Sequence, residues 1–252
     1  MSIAQIGIPQ PPYPKAPITE GVIHLRVAGT ATVDEQQTIV RRLTRNYPHS
    51  KPLKEFNLKI DTTGGEVSVD QRPQGFRLNT HDQADIVLVF PDGIAIARLA
   101  PYQGWERLKE RAQTAYEEWR RSTMHRAVTR IGIRYLNRID IPLNGLSMVD
   151  LANYLTFRPQ IPGISDGPMA GYMVQATLPT DTPSWSTSIS STIVTPPPLL
   201  NHVSLMLDID VFRTDQIPGN QADLWRMIDD ARPIKNRVFE RCITDESRKL
   251  FA

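Results

Sequence analysis

Apolar and polar residues alternate most regularly along residues 126–141. In the stretch IGIRYLNRID, one parity carries Ile131, Ile133, Tyr135, Asn137 and Ile139, and the other, continuing from Arg130, carries Gly132, Arg134, Leu136 and Arg138. Successive side chains of a strand point to opposite faces of a sheet. The pattern therefore predicts a strand with a mostly apolar face and a stripe of arginines. That stripe is either a binding site or the solvated side of the sheet.

Similar patterns predict the remaining elements. Strands are expected at 18–27, 52–61, 65–71, 74–79 with 84–90, 93–99, 169–178, 185–195 and 202–213. Helices are expected at about 32–46, 104–124 and 220–251, with a short one capped by SMVD (147–150) and running to Leu155. The first helix opens on a capping box, TVDE, with Thr32 as N-cap and Glu35 at N3. Pro233 is expected to kink or split the last one.

The order of these elements indicates the fold class. Short turns such as PDG (91–93) separate consecutive strands, and strands joined in this way are antiparallel. We therefore predict an α+β fold, with an antiparallel sheet or sheets, helices packed on one face and two loosely similar halves. The predicted parts are a proline-rich N-terminal arm (1–17), an α+β half with the arginine strand (18–145) and an α+β half with the C-terminal helix (146–252).

Composition narrows the class of protein. The chain has 252 residues, with 29 Lys and Arg against 27 Asp and Glu, a net charge of +2. This balance does not indicate a general nucleic-acid or membrane binder, although a local patch stays open. The single cysteine, Cys242, excludes an internal disulfide and favours the cytosol. No apolar run reaches the ~20 residues that span a bilayer, and the N-terminus lacks a signal-peptide pattern. We expect a soluble cytoplasmic protein.

Motifs for catalysis have little support. GISDG (163–167) matches the nucleophile-elbow pattern G-x-S-x-G, but that chemistry needs a strand before the serine and a helix after it. Prolines on both sides favour a turn-rich loop instead. The five histidines show no metal-ligand spacing, and neither phosphate-binding glycine motif is present. The sequence therefore predicts no catalytic residue, no metal ligand and no cofactor, and an enzyme is the less favoured hypothesis.

Charged residues on strand faces are the candidate binding groups. In LMLDIDVF (205–212), Asp208 and Asp210 share a face, as Glu20, His24 and Arg26 do in the first strand. If the strands of Arg134 and Asp208 pair, opposite charges form a cross-strand lattice that fixes register. A face for anions or nucleic acid and a Mg²⁺ site for phosphoryl chemistry are the alternatives. The candidates are Arg130, Arg134, Arg138, Glu20, His24, Arg26, Asp208 and Asp210.

Three stretches carry a resemblance to a known family. APITEGVIHLRV (16–27), RIGIRYLNRIDIP (130–142) and FERCITDESRKLF (239–251) resemble an uncharacterised, sporadically distributed family of bacterial and archaeal proteins. Its signatures are P-I-x-E-x-V-I-x-L-R, R-x-G-x-R-Y-x-N-R-I and I-T-x-E-x-R-x-x-F. Gly21 departs from the larger residue usual there. The matching positions are Glu20, Arg26, Arg134, Tyr135, Asn137, Arg138, Glu246 and Phe251. The resemblance implies an accessory gene of mobile elements or antiviral defence, with no catalytic role to transfer.

These observations lead to two functional hypotheses. The first is a non-enzymatic accessory protein that acts through a protein partner or through its own oligomer, without a membrane. The alternative is a protein that binds nucleic acid, or processes it with a metal, through the face of Arg130, Arg134, Arg138, Asp208 and Asp210.

Overall fold

The computed structural model describes residues 13–60, 67–160 and 169–252. The strands found there are β1 (Ile18–Val27), β2 (His49–Ile60), β3 (Val67–Asn79), β4 (Asp85–Phe90), β5 (Gly93–Leu99), β6 (Val128–Pro142), β7 (Met173–Pro179), β8 (Ser186–Val194) and β9 (His202–Arg213). The helices are α1 (Val33–Leu43), α2 (Trp105–Ser122), α3 (Gln221–Cys242) and α4 (Asp245–Leu250). The predicted α+β class is confirmed.

The strands form one antiparallel sheet in the order β2-β3-β4-β5-β1-β6-β9-β8-β7. Strands that follow one another along the chain pair as hairpins, β2 with β3, β3 with β4, β4 with β5, β7 with β8 and β8 with β9. Outward from β1 the strands follow in the order β5, β4, β3 and β2, and outward from β6 they follow in the order β9, β8 and β7. On both sides, therefore, the strand that comes first in the chain lies at the edge. A long helix follows the last strand of each series, α2 after β5 and α3 after β9. The predicted loose similarity between the halves is thus visible in their topology.

The chain divides into two compact units. Unit 1 comprises the chain up to Glu20 together with Ile133–Arg213 and Asn220–Ala252, and unit 2 comprises Gly21–Gly132 with Thr214–Gly219. The boundary expected between residues 145 and 146, which separates the two predicted halves, stays a prediction.

The core of unit 2 follows from the alternation in β1 and the apolar stripe of α2. Ile23 and Leu25 are fully buried, as the predicted parity requires. On α2, Trp119 is fully buried as well. The capping box that opens α1 is confirmed, since the Glu35 amide donates to Thr32 Oγ1 at 3.2 Å and the Thr32 amide donates to Glu35 Oε2 at 2.7 Å.

The core of unit 1 lies on one face of β6 and β9. The apolar parity of β6 is buried, including Ile133, Tyr135 and Ile139, and so is the matching parity of β9. Helix α3 packs on β9. Its Lys235 is buried, with Nζ 3.9 Å from the centroid of the Tyr135 ring. Burial lowers the pKa of Lys235 to about 7.

The described end of the N-terminal arm lies against the C-terminal helices. The Tyr13 ring meets the Phe251 ring edge to face with centroids 5.4 Å apart, and its hydroxyl donates to Glu240 Oε1 at 2.8 Å. The Lys15 amide donates to the Phe251 carbonyl at 3.0 Å. Of the arm predicted at 1–17, the described part therefore packs against the C-terminal end of the chain. Its residues 1–12 lie outside the described residues.

Several boundaries differ from the sequence predictions. Helix α3 is not split at Pro233 and ends at Cys242, where Thr244 caps α4 instead. Residues 67–71 and the run 74–79 belong to a single strand, β3, and residues 65 and 66 lie outside the described residues. Strand β7 begins at Met173 rather than at 169. The short helix expected after SMVD is only a 3-10 turn, Leu151–Asn153, and Asp150 is its N-cap.

A buried ion pair joins β4 and β5 within unit 2. Asp85 and Arg98 are cross-strand partners, only 4% and 3% exposed, with Arg98 Nη1 2.9 Å from Asp85 Oδ2. Arg111 of α2 places Nη2 3.2 Å from the same oxygen. One carboxylate thus ties the end of the β4–β5 hairpin to α2.

We predict that Asp85→Ala lowers the free energy of unfolding by about 3–5 kcal/mol, because it removes the buried carboxylate that pairs with the buried Arg98. Only the exposed Asp82, with Oδ2 3.7 Å from Arg98 Nη1, then remains. Urea unfolding measures this loss. Asp92→Asn is the matched control, since the pair of Asp92 with Arg26 is half-exposed at 3.9 Å and such pairs contribute about 0–1 kcal/mol. Equal losses in the two variants would contradict the assignment.

Candidate functional site

The open face of β6, β9, β8 and β7 contains the most concentrated group of candidate residues. Alternation places Arg134 on this face, opposite in parity to the buried Tyr135, and it does the same for Asp208 and Asp210. Arg134 Nε donates to both carboxylate oxygens of Asp208, at 2.8 and 3.0 Å. The cross-strand charge pair predicted from the sequence is therefore confirmed.

Further carboxylates surround the Arg134 guanidinium. The hydrogen bonds to Asp208 raise the pKa of Arg134, and the charges of Asp208, Asp210 and Glu20 raise it further. Arg134 stays fully charged at any physiological pH. Carboxylates of the same chain therefore already compensate the positive charge of Arg134.

A shallow cavity of about 170 Å³ lies on this face. We call its lining residues the polar face, and they are Arg134, Gln175, Ser188, Ser190, Asp208 and Asp210. Strand register brings them together, since Ser190 pairs with Asp208 and Ser188 with Asp210, while Gln175 of β7 pairs with Ser190. Small-molecule pockets usually measure about 300–1,000 Å³. The polar face is therefore better suited to surface contact than to enclosing a substrate.

The third arginine of the stripe is also paired. Arg138 Nε donates to the two carboxylate oxygens of Asp140 at 3.1 and 3.0 Å. Ser204 of β9 donates through its hydroxyl to Asp140 Oδ1 at 2.6 Å. Arg138 is thus held by a carboxylate on its own strand, which in turn is held by the neighbouring strand.

The remaining candidates belong to unit 2. Arg26 lies 3.9 Å from Asp92. His24 contacts Phe90, with ring centroids 5.8 Å apart, and its Nε2 is buried without a hydrogen-bond partner among the described residues. Burial, helped by the positive charges of Arg130 and Arg26, lowers the pKa of His24 to about 4. This histidine is neutral at pH 7.

Sequence reasoning missed the uncharged half of the polar face. The predicted candidates are all charged residues or histidine, whereas Ser188 and Ser190 are uncharged, although Ile189 and Ile193 mark the other parity of β8 as its core side. The structure buries Thr187 and Ser191 on the core side, with Tyr172 Oη 2.6 Å from Ser191 Oγ. The pairing of β8 with β9 was the missing signal, because it places the two partly exposed serines beside the two aspartates.

The described part of the chain lacks two other functional features. No group of three or more His, Cys, Asp or Glu side chains there is arranged to hold a metal ion. None of the helices described is long and apolar enough to cross a membrane. The GISDG segment at 163–167 lies outside the described residues.

Comparison with known proteins gives no identification. The chain matches no family model and no curated protein. The resemblance to the sporadically distributed bacterial and archaeal family stays a prediction.

The environment of His24 generates a pH prediction. The pKa of His24 is lowered from 6.5 to about 4 on folding, so between these values the unfolded chain binds the proton and the folded chain does not. Stability is then present above pH 6.5 and lost as the pH falls towards 4. His24 accounts for about 2 kcal/mol of the loss from pH 7 to pH 5.

Urea unfolding of the wild type and of His24→Gln at pH 7 and pH 5 measures this contribution. We expect the wild type to lose more stability than His24→Gln over this interval, by about 2 kcal/mol. An identical pH dependence in the two proteins would show that His24 titrates alike in the folded and unfolded chains.

Proposed function

We propose that this chain is a non-enzymatic binding protein and that its polar face contacts a protein partner. The observation that carries the proposal is the bidentate pairing of Arg134 with Asp208. Because the Arg134 guanidinium is already paired with a carboxylate of its own chain, we expect it to bind a free anion weakly. The Arg134–Asp208 pair instead provides a preorganised surface that can contact hydrogen-bonding groups of a partner.

The uncharged members of the polar face support the same function. Gln175 is exposed, and Ser188 and Ser190 are partly exposed beside it. Amide and hydroxyl groups both donate and accept hydrogen bonds. Interfaces between proteins contain about one hydrogen bond per 100–200 Å². Three such side chains on adjacent strands provide several of these bonds without the cost of burying an unpaired charge.

The charge balance disfavours the nucleic-acid alternative at this surface. The polar face contains one arginine and two aspartates. Arg138, the next member of the stripe, is bound by Asp140. Phosphate backbones are bound by an excess of positive charge, which displaces counterions. A phosphate at Arg134 would have to displace Asp208 and would meet Asp210 beside it.

The same proposal places the protein in the cytosol, where a chain with one cysteine and no possible internal disulfide is at no disadvantage. Cys242 is buried, and burial raises the pKa of its thiol to about 12. An accessory role in mobile-element or defence loci is what the family resemblance implies, and it is part of this proposal.

Capture of partners from host lysate, with and without nuclease, tests the function. We expect the intact chain to recover one protein whether or not nuclease is added. Ser190→Tyr should lower this recovery about tenfold or more, because the ring fills the cavity, and a tenfold loss is about 1.4 kcal/mol of binding. Thr114→Tyr, on the exposed side of α2, is the matched control and should keep full recovery.

Two results would contradict the proposal. Recovery of nucleic acid that is lost at high salt and with Arg134→Glu would make the arginine stripe a phosphate site. Full recovery of the partner by Ser190→Tyr would place the binding surface elsewhere on the chain.

A further inference from the structure

The two outermost strands of the sheet are built differently. Strand β2, at one edge, carries Lys51, Pro52 and Lys54, and its register shifts between Leu53 and Lys54. Lysines, prolines and bulges at an edge prevent it from pairing with another chain. Strand β2 thus has three features that disfavour pairing of an edge strand with another chain.

Strand β7, at the opposite edge, has no charged residue. Its sequence is MVQATLP. Met173 is 77% exposed and Leu178 is 46% exposed. Among the described strands, β7 pairs only with β8. Pro179, the last residue of the strand, is its single protective feature. An uncharged edge with exposed apolar side chains is suited to pairing with a further strand.

The side-chain pattern of β7 is self-complementary. Val174, Ala176 and Leu178 are apolar and share the parity of the buried Ser191, Ile189 and Thr187 of β8. Gln175 and Thr177 are polar and lie on the other parity. When the strand is turned end to end about Ala176, apolar residues again oppose apolar ones and polar residues oppose polar ones.

We propose that β7 pairs antiparallel with β7 of a second copy of this chain, centred on Ala176. In this register Val174 faces Leu178 of the second copy, and Gln175 faces its Thr177. Ala176 faces its own counterpart, as a two-fold axis requires. The outward amides and carbonyls of both edges then bond to each other.

Charge and continuity favour a second copy as the occupant. No like charges oppose one another across the pair, because neither strand carries any. Gln175 pairs with Ser190 within the polar face, so joining two β7 strands makes the polar faces of two copies continuous. A seven-residue edge is only about 23 Å long. Stable interfaces usually bury about 1,200–2,000 Å², so we expect a weak dimer that depends on protein concentration.

This inference extends the proposed function by naming a second copy as one partner, and it does not require the polar face to bind another protein. Sedimentation velocity of the purified intact chain, over about a hundred-fold range of concentration, measures it. We expect monomer at the low end and dimer at the high end.

Charge variants test the strand and the pairing. Gln175→Lys with Thr177→Lys places two lysines opposite two lysines, and we expect monomer at every concentration. Gln175→Glu with Thr177→Glu should also be monomeric, but an equimolar mixture of the two double variants should dimerise. Gln37→Lys with Thr114→Lys, at exposed positions of α1 and α2, adds the same charge elsewhere and should dimerise like the wild type. Circular dichroism and thermal melts confirm that all variants fold.

Cysteine crosslinking tests the register. In antiparallel pairs, opposed Cα atoms are about 4.5–5.5 Å apart, which a disulfide can span. Ala176→Cys faces its own counterpart and should crosslink under mild oxidation, whereas Val174→Cys faces Leu178 and should crosslink much less. The native Cys242 does not interfere because it is buried.

Two results would overturn the inference. One is a wild-type chain that stays monomeric over the whole range. The other is a dimer that both charged double variants form as readily as the wild type. Either result would leave partner capture through Ser190 intact, so the two proposals fail separately.

Discussion

The alternation of apolar and polar residues along β6 determines which face of this strand forms the core of unit 1 and which face is open. Its odd positions, among them Ile133 and Tyr135, form the core beneath α3, and its even positions place Arg134 and Arg138 on the open face. A shift of one residue would exchange the two faces. It would bury two arginines without partners and expose the isoleucines, and neither change is tolerable for a marginally stable fold. Register in this strand is therefore fixed twice, by the apolar face and by the charges opposite it.

The same constraint underlies the proposed function. Arginines that hold register must have carboxylates within reach, and Asp208 and Asp140 occupy those places. A stripe that looks basic in the sequence becomes a neutralised surface in the fold. The chemistry left over belongs to the uncharged side chains next to the ion pair, which are Ser188, Ser190 and Gln175. These are the groups through which we propose that a protein partner is recognised.

Much of the fold was predictable from the sequence because it depends on local periodicity. The strand parity of β6 and β9, the Thr32 capping box and the apolar stripe of α2 need only neighbours in sequence. The Arg134–Asp208 pair was predictable only on the condition that their strands are neighbours. Features set by strand order were not accessible. An example is the position of Ser188 and Ser190 of β8 beside Asp210 and Asp208 of β9.

The most direct test of this account is a charge swap between Arg134 and Asp208. Urea unfolding would be measured for Arg134→Asp, for Asp208→Arg and for the double variant. Each single variant should lose stability, and the double variant should recover most of it, with a coupling of about 0.5–1 kcal/mol because the pair is partly exposed. Losses that simply add in the double variant would contradict the claim that this pair holds the sheet face together.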